Sequence, residues 1–406
     1  MSFANNDQQA LREPDQGDLW DALVVPGTLA TFYKQGVGGY VLSRRRPFVI
    51  DPRTPLLQDE QGQPDRPDPK KSHVTLASIH HPDLAGPWGR GEDPSLEWWT
   101  QSNRWNAAIG SVIEFQQTFE QEAAEKIDKY DDILRDAGMS LALAAPVAGP
   151  ERLIPPYFAS RGSRDLAWKL TLEGIEVSQQ LADRPLMPVI CLAADAPTGV
   201  FAELIRTLPD GIKHVFCWRS LWKESEATPD DIIGWLQAFE AAAERDIEIV
   251  NMYGGALSIF LTSRGMFGVN SGVGYSESRD SRRLSQTGGA PARYYVPRLH
   301  AFFTPPVAQA LVDDLGQEWE CHCDICSRQR DITKLSSLQL KLHFLHARAS
   351  EWARAASLQQ VVATLAADSE ELVTRFALDA DDNPRLCGRG KVLGLWSELL
   401  VLEAQV

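Results

Sequence analysis

MPVICLAADAPTGVFAELIRTLPDGIKHVFCWRS, residues 187–220, carries one full repeat of the fold. The runs VICLAA and HVFCW are short, apolar and bounded by Pro, Asp and Gly, while FAELIRTL between them has its apolar residues at helical spacing. Strands with almost no polar side chain have no face to give to water. They read as parallel neighbours joined by a crossover helix and covered on both sides.

The alternation extends in both directions from there. Upstream, LALAAPV (141–147) and LIPPYF (153–158) read as strands and RDLAWKLTLEGIEVSQQL (164–181) as a helix. Downstream, PDDIIGWLQAFEAAAER (229–245) and LSIFLTSRG (257–265) read as helices, alternating with strands at IEIVNMY (247–253) and MFGVNS (266–271). DALVVPG (21–27) and PFVIDP (47–52) supply earlier strands, and a helical stretch runs from Leu96 to Ala137 and stops at Gly138. About eight strands over roughly 290 residues favour a closed (β/α)8 TIM-type barrel over a doubly wound sheet. No GxGxxG follows a strand, which weakens a dinucleotide-binding reading further.

The expected organisation is a mobile N-terminus over 1–18, the barrel over 19–300, and a zinc-binding and helical C-terminal region over 301–406. The Pro-, Asp- and Lys-rich run EQGQPDRPDPKKS is expected to be an exposed loop. The 406 residues, 44% hydrophobic and 23% charged, exclude a mini-protein and a disordered chain. With 55 acidic against 40 basic side chains, the net charge of −15 repels polyanions at long range, so nucleic-acid contact must be local. No apolar run reaches the ~18 residues of a membrane span, and the N-terminal sequence lacks a signal-peptide pattern, so a cytoplasmic protein is expected.

Three of the six cysteines fall in Cys321-His322-Cys323-Asp324-Ile325-Cys326. Such crowding argues for a metal rather than for disulfides, and zinc takes four soft or borderline ligands in a tetrahedron. His343 and His346 follow in a helical stretch, one turn apart and facing the same side, so either completes a closed Cys3His site. A closed site leaves no position for a reacting water, and its role is structural. Cys191 and Cys217 sit in apolar strand runs and read as buried thiols.

An α/β barrel ending in CxCxxC and a later helical histidine resembles the tRNA-guanine transglycosylase superfamily, including its DNA-modifying 7-deazaguanine relatives. The resemblance implies a structural zinc held by Cys321, Cys323, Cys326 and His343, the LHFL setting of His343 resembling the family's helix. It implies exchange of guanine for a 7-deazaguanine base in tRNA or DNA through a covalent ribosyl-aspartate. Asp51, in VIDPRT, stands where the family has the aspartate that acts on the base. ICLAADAPTGVFAELIRTLPDGIKHVFCWRS aligns loosely with the base-binding turns and places Arg219 and Ser220 there. Val250-Asn251-Met252-Tyr253-Gly254-Gly255 and Arg264-Gly265-Met266-Phe267-Gly268-Val269-Asn270-Ser271 match the following family segments better. Gly254 and Gly255 then line the base, and the nucleophilic aspartate falls on Asn270. An amide oxygen is a poor nucleophile. Glu277 and Asp280, in the following run, are the replacement carboxylates.

Two functions are therefore expected as alternatives. One is a transglycosylase-like enzyme with Asp51 as acid/base. The other is a catalytically inactive, zinc-stabilised barrel serving as a nucleic-acid-binding or scaffold subunit, with a protein partner or a second copy of itself. Arg279, Arg282, Arg283, Arg293 and Arg298, interleaved with Tyr294 and Tyr295, form the densest basic and aromatic stretch and are candidates to grip phosphates and stack bases. Arg44-Arg45-Arg46 and His80-His81 read as turn and loop, and Trp88, Trp98, Trp99 and Trp105 as a packing lid.

Overall fold

The computed structural model describes residues 10–11, 19–32, 37, 47–58, 76–77, 80, 95–101, 103–136, 149–273, 277–282, 292–376 and 384–401. The chain begins with a two-stranded parallel sheet, β1 (Leu23–Pro26) beside β2 (Phe48–Asp51), with helix α1 (Gly27–Phe32) between them. Two helices follow, α2 (Leu96–Trp99) and the long α3 (Arg104–Asp136); a left-handed Asn103, φ 59°, separates what the sequence suggests is one helix. Five parallel strands come next in sequence order: β3 (Ala159–Ser160), β4 (Val189–Leu192), β5 (His214–Arg219), β6 (Glu248–Met252) and β7 (Met266–Asn270). Their crossovers are α4 (Leu166–Leu181), α5 (Val200–Arg206), α6 (Pro229–Ala243) and the short α7 (Ala256–Phe260).

Local chemistry sets these boundaries. Asp165 caps α4 by accepting from Ala167 N at 3.2 Å. Thr228 and Asp231 form a reciprocal capping box on α6, with Pro229 at its first position. Gly265 takes φ 123° in the turn into β7, a conformation that side chains resist.

Side-chain alternation divides the sheet into two faces. Ile190, Leu192, Val215, Cys217, Ile249 and Met266 point to the helices and join the main core. Val189, Cys191, Phe216, Trp218 and Met252 point the other way, where they cluster with Val24 of β1, Val49 of β2, Tyr157 and Ala159. The two parallel sheets thus share one interior. They are also stitched along an edge: Glu151 N donates to Phe48 O at 2.9 Å, and the Gln58 amide both accepts from Ala159 N and donates to Ala159 O, each at 2.7 Å.

Strands β4 to β7 fall where the sequence places them. The expected strand at 153–158 is reduced to an isolated bridge between Leu153 and Leu186, because Pro155 and Pro156 have no N–H to give a ladder, and the two-residue β3 begins just after it. The run 141–147 lies outside the described residues, as do Arg44–Arg46, His81, Trp88, Arg283 and the loop EQGQPDRPDPKKS. Among the described residues the strands form a mixed α/β fold with a five-stranded and a two-stranded parallel sheet, not a complete eight-stranded ring. Of residues 1–18, Ala10 and Leu11 are described, and both are helical and buried.

After β7 the topology changes. An antiparallel pair, β8 (Tyr294–Val296) and β9 (Ala301–Phe303), precedes helices α8 (Pro305–Leu315), α9 (Asp324–Arg328), α10 (Ser337–Ala355), α11 (Leu358–Phe376) and α12 (Pro384–Leu400). This helical region shares the main core with the sheet: Leu335, Leu340, Leu365, Leu372, Leu393 and Trp396 belong to the same cluster as Leu192 and Ile249. No helix among the described residues is long and apolar enough to cross a membrane.

Candidate metal centre and interior mouth

Cys321 and Cys323 lie on the approach to α9, Cys323 at its N-cap and Cys326 within its first turn, so three thiols converge from one tight bend. His343, fully buried on α10, faces them: its Nδ1 lies 3.5 Å from Cys323 Sγ and 3.3 Å from Cys326 Sγ. All four donor atoms fall within 4.8 Å of one another. Four-coordinate zinc with S and N ligands spaces those atoms about 3.6 to 3.8 Å apart, so the cluster has the dimensions of a ligand shell.

The surroundings orient it. His343 Nε2–H donates to Tyr295 O at 2.6 Å, which leaves the Nδ1 lone pair toward the sulfurs, the tautomer a metal requires. Tyr294 stacks on the imidazole at 4.2 Å and 9°, and its hydroxyl meets Cys326 Sγ at 3.4 Å. Contact with Cys321 and Cys326 drives the Cys323 thiol strongly down, while contact with Cys321 and Cys323 drives Cys326 strongly up. Sulfurs packed this closely share their negative charge unless a cation joins them. Burial alone would lower His343, but the Cys321 and Cys323 sulfurs raise it to about 9, the same demand for positive charge. The four residues fit a metal ion, and His346 is not among them.

A buried polar network lies beside this centre. Glu351 accepts from the Tyr295 hydroxyl and from His300 Nδ1, both at 2.6 Å, and from Arg348 at 2.5 Å. Burial alone would raise its carboxyl, but Arg348 and His300 hold it down to about 2.

The second constellation sits at the C-terminal ends of β2 and β4 to β7, where parallel strands place ligand sites. Asp51 ends β2 on the interior side, fully buried. Its Oδ1 accepts from Tyr157 Oη at 2.7 Å and from Arg53 N at 3.0 Å, and its Oδ2 has no partner. Arg53, also fully buried and left-handed at φ 56°, lies 5.1 Å over the Trp218 ring and donates to Tyr253 Oη at 3.3 Å. Arg279 donates to the same phenol at 3.1 Å, and burial and the neighbouring Arg53 both lower its pKa. Burial, then the Asp51 charge, pushes Tyr157 well above the usual phenol range.

Asn270 ends β7 opposite Met252 and faces the same interior; it is 2% exposed, and neither atom of its amide has a hydrogen-bond partner. The strand register alone puts the Asn270 side chain on the same face as Met252. Asp51 and Asn270 share the interior mouth, each with an unsatisfied oxygen.

The other expected base-binding residues are engaged within the fold. Arg219 points to the helix side of β5, paired with Asp231 and 3.0 Å from Thr198 Oγ1. Gly254 N donates to Asn270 O at 3.1 Å, and Gly255 N to Glu224 at 2.6 Å. A Cβ at Gly254 would come within 2.8 Å of Val269 Cγ1, and one at Gly255 within 2.8 Å of Glu224 Oε2. These glycines permit close packing around α7, and their N–H groups are already engaged. Ser220 Oγ accepts from Ser281 N at 3.0 Å, fixing the segment that carries Arg279 and Arg282. Arg282 N donates to Asp280 Oδ1 at 2.9 Å. Arg298 is bound to Asp368 and Glu371 over the Trp319 ring, and Tyr294 and Tyr295 are buried, so none of the three presents a surface to phosphates or bases.

The sequence reading missed Arg53, Tyr157, Tyr253 and Trp218, which build the mouth, and His80, whose Nε2–H donates to Pro52 O at 2.7 Å beneath it. Burial pushes that imidazole down to about 4. Nothing in a single sequence marks Arg53 or Tyr253 as left-handed, since neither is a glycine or an asparagine. Comparison of the chain with protein-family models, with curated proteins and with solved structures returns no significant match.

Proposed function

We propose that the chain is a zinc-stabilised (β/α)8-type barrel, built like the guanine transglycosylases, that binds a guanine-type base at its interior mouth and does not transfer it covalently. Zinc is the ion that a Cys3His set with a hydrogen-bonded histidine suits best, and with four protein ligands it serves as a structural metal. Closure of the barrel is supported by the interior that β1 and β2 share with β3 to β6. A reducing, cytoplasmic setting suits a cluster of unpaired thiols.

The observation that carries the reading is Asn270. A buried amide without partners costs about 1 to 3 kcal/mol unless a ligand supplies them. A purine edge presents a donor and an acceptor side by side, which is what a carboxamide pairs with. Asp51 Oδ2 offers a further acceptor for a ring N–H or amino group. The base would arrive from tRNA or DNA, unstacked into the mouth. Against covalent transfer stand the neutral amide of Asn270 and the position of Glu277, whose carboxylate pairs with Arg348. The exchange reading keeps one support, the buried Asp51 carboxylate at the end of β2.

Calorimetric titration of the zinc-loaded chain with guanine and with 7-deazaguanine tests this. Saturable one-to-one binding, abolished by Asn270→Leu and weakened by Asp51→Asn, is expected. Absence of binding by the unmodified chain would overturn it.

A further inference from the structure

Residues 277–282 touch both constellations. At one end Glu277 forms an ion pair with Arg348 of α10, the helix that also carries His343. From there the segment runs along the interior mouth. Arg279 donates to Tyr253, its carbonyl accepts from Leu221 N at 2.9 Å, Asp280 O accepts from Arg53, and Ser281 N donates to Ser220. Ser281 also lies beside the Cys191 thiol, which burial pushes up to about 12.

Arg348 is held in place from the metal side. Its guanidinium donates to the Tyr295 hydroxyl at 3.0 Å and to Glu351 at 2.5 Å, while the Tyr295 carbonyl accepts from the ligand histidine. Tyr295 is therefore gripped at both ends, by His343 and by Arg348. Moving His343 off the sulfurs moves the peptide of Tyr295, and with it the phenol that orients Arg348.

We infer that residues 277–282 are a strap tying the interior mouth to the metal-bearing helix, with Arg348 as a positioning residue and Glu277 as its attachment point. Metal held by His343 and the three cysteines then keeps Arg279 and Asp280 on the mouth, and by linkage the strap strengthens metal retention by the same factor. This rests on the mouth being the ligand site, but its test contains no base, so the two readings can fail separately.

The test uses the zinc-loaded full chain and the variant Glu277→Gln, which removes the charge and preserves the shape of a side chain outside the cluster around Glu351. Two thiols serve as probes. Cys191 lies under the strap, and Cys217 is equally buried on the helix side of β5, away from it. Labelling with N-ethylmaleimide, followed by peptide mapping, gives a rate for each. The variant is expected to label Cys191 ~10-fold faster with Cys217 unchanged, as a local opening requires. Competition with a chelator should show weaker zinc binding by a similar factor. An unchanged Cys191 rate, an unchanged zinc affinity, or Cys217 rising in step with Cys191 would each overturn the strap.

Discussion

The metal centre and the interior mouth are both polar, buried and built around side chains that cannot be left alone, yet they are assembled in opposite ways. Three of the four metal donors come from six consecutive residues, and the fourth from one helix packed on the Tyr294 ring. The mouth draws Asp51, Tyr157, Trp218, Tyr253, Asn270 and Arg279 from strand ends and loops spread along the chain. The first site has one geometry because a tight bend imposes it. The second has one geometry only if the sheet keeps its register, since a one-residue slip would turn Asn270 to the helix side. Damage to the first should therefore unfold the C-terminal region, and damage to the second should change binding with little loss of stability.

The largest effect belongs to the metal ligands. Cys323→Ser should lose the metal and destabilise the chain by several kcal/mol, because binding of a metal by a closed ligand set is coupled to folding. His343→Ala should do the same, and His346→Ala should not. Zinc analysis together with denaturant unfolding checks the ranking, and an equal loss at His346 would move the fourth ligand. Lowering the pH protonates the thiolates, so loss of the metal and unfolding of the C-terminal region should occur together in the unmodified chain.

Next comes acid stability of the buried network. The Glu351 carboxyl is held at about 2 against an ordinary 4.5, so the folded state binds its proton less readily than the unfolded chain. Its contribution is complete above pH 4.5 and is lost as the pH falls toward 2, a total of about 3 kcal/mol from the linkage of pKa to stability. His80, pushed down to about 4, adds a loss of the same sign at higher pH, between its unfolded value of 6.5 and 4, since the unfolded chain takes up the proton first. Unfolding followed across pH 7 to 2 should show both windows. Replacement by Glu351→Gln should flatten the lower one, and an unaltered profile would show that the network carries no such charge.

Much of this contrast was legible beforehand, and the reasons are local. Strands β4 to β7 were readable because each is a continuous apolar run between turn residues, and the thiol cluster because its spacing is short. Choosing between His343 and His346 required the packing of α10, as both lie on one side of the helix. Asn270 was singled out by the family resemblance alone, and only the register of β7 against β6 shows which face it takes. The hairpin of β8 and β9 was missed because Tyr294-Tyr295 and Arg298 look like an exposed basic and aromatic stretch, whereas Arg298 is committed to Asp368 and Glu371. Arg219 is not brought to the interior face, because the alternation of β5 sends it to the helices, where it pairs with Asp231 at a helix start. Arg53 could not have been found, because its position depends on a left-handed backbone and on partners some 200 residues away.

The smallest effect separates an empty mouth from a filled one. Asn270→Leu replaces an unpartnered buried amide by an apolar group of similar size, so the base-free chain should gain about 1 kcal/mol while losing base binding. A loss of stability instead would mean that the amide is satisfied within the folded chain.

The central claim, that the mouth holds a guanine-type base without covalent transfer, is tested most directly by incubating the zinc-loaded chain with labelled guanine and either tRNA or duplex DNA. The account predicts no label exchange by the unmodified chain, and a trapped covalent adduct with polynucleotide when Asn270→Asp restores a carboxylate of nearly the same size. Efficient exchange by the unmodified chain would contradict it and would place the nucleophile on another carboxylate.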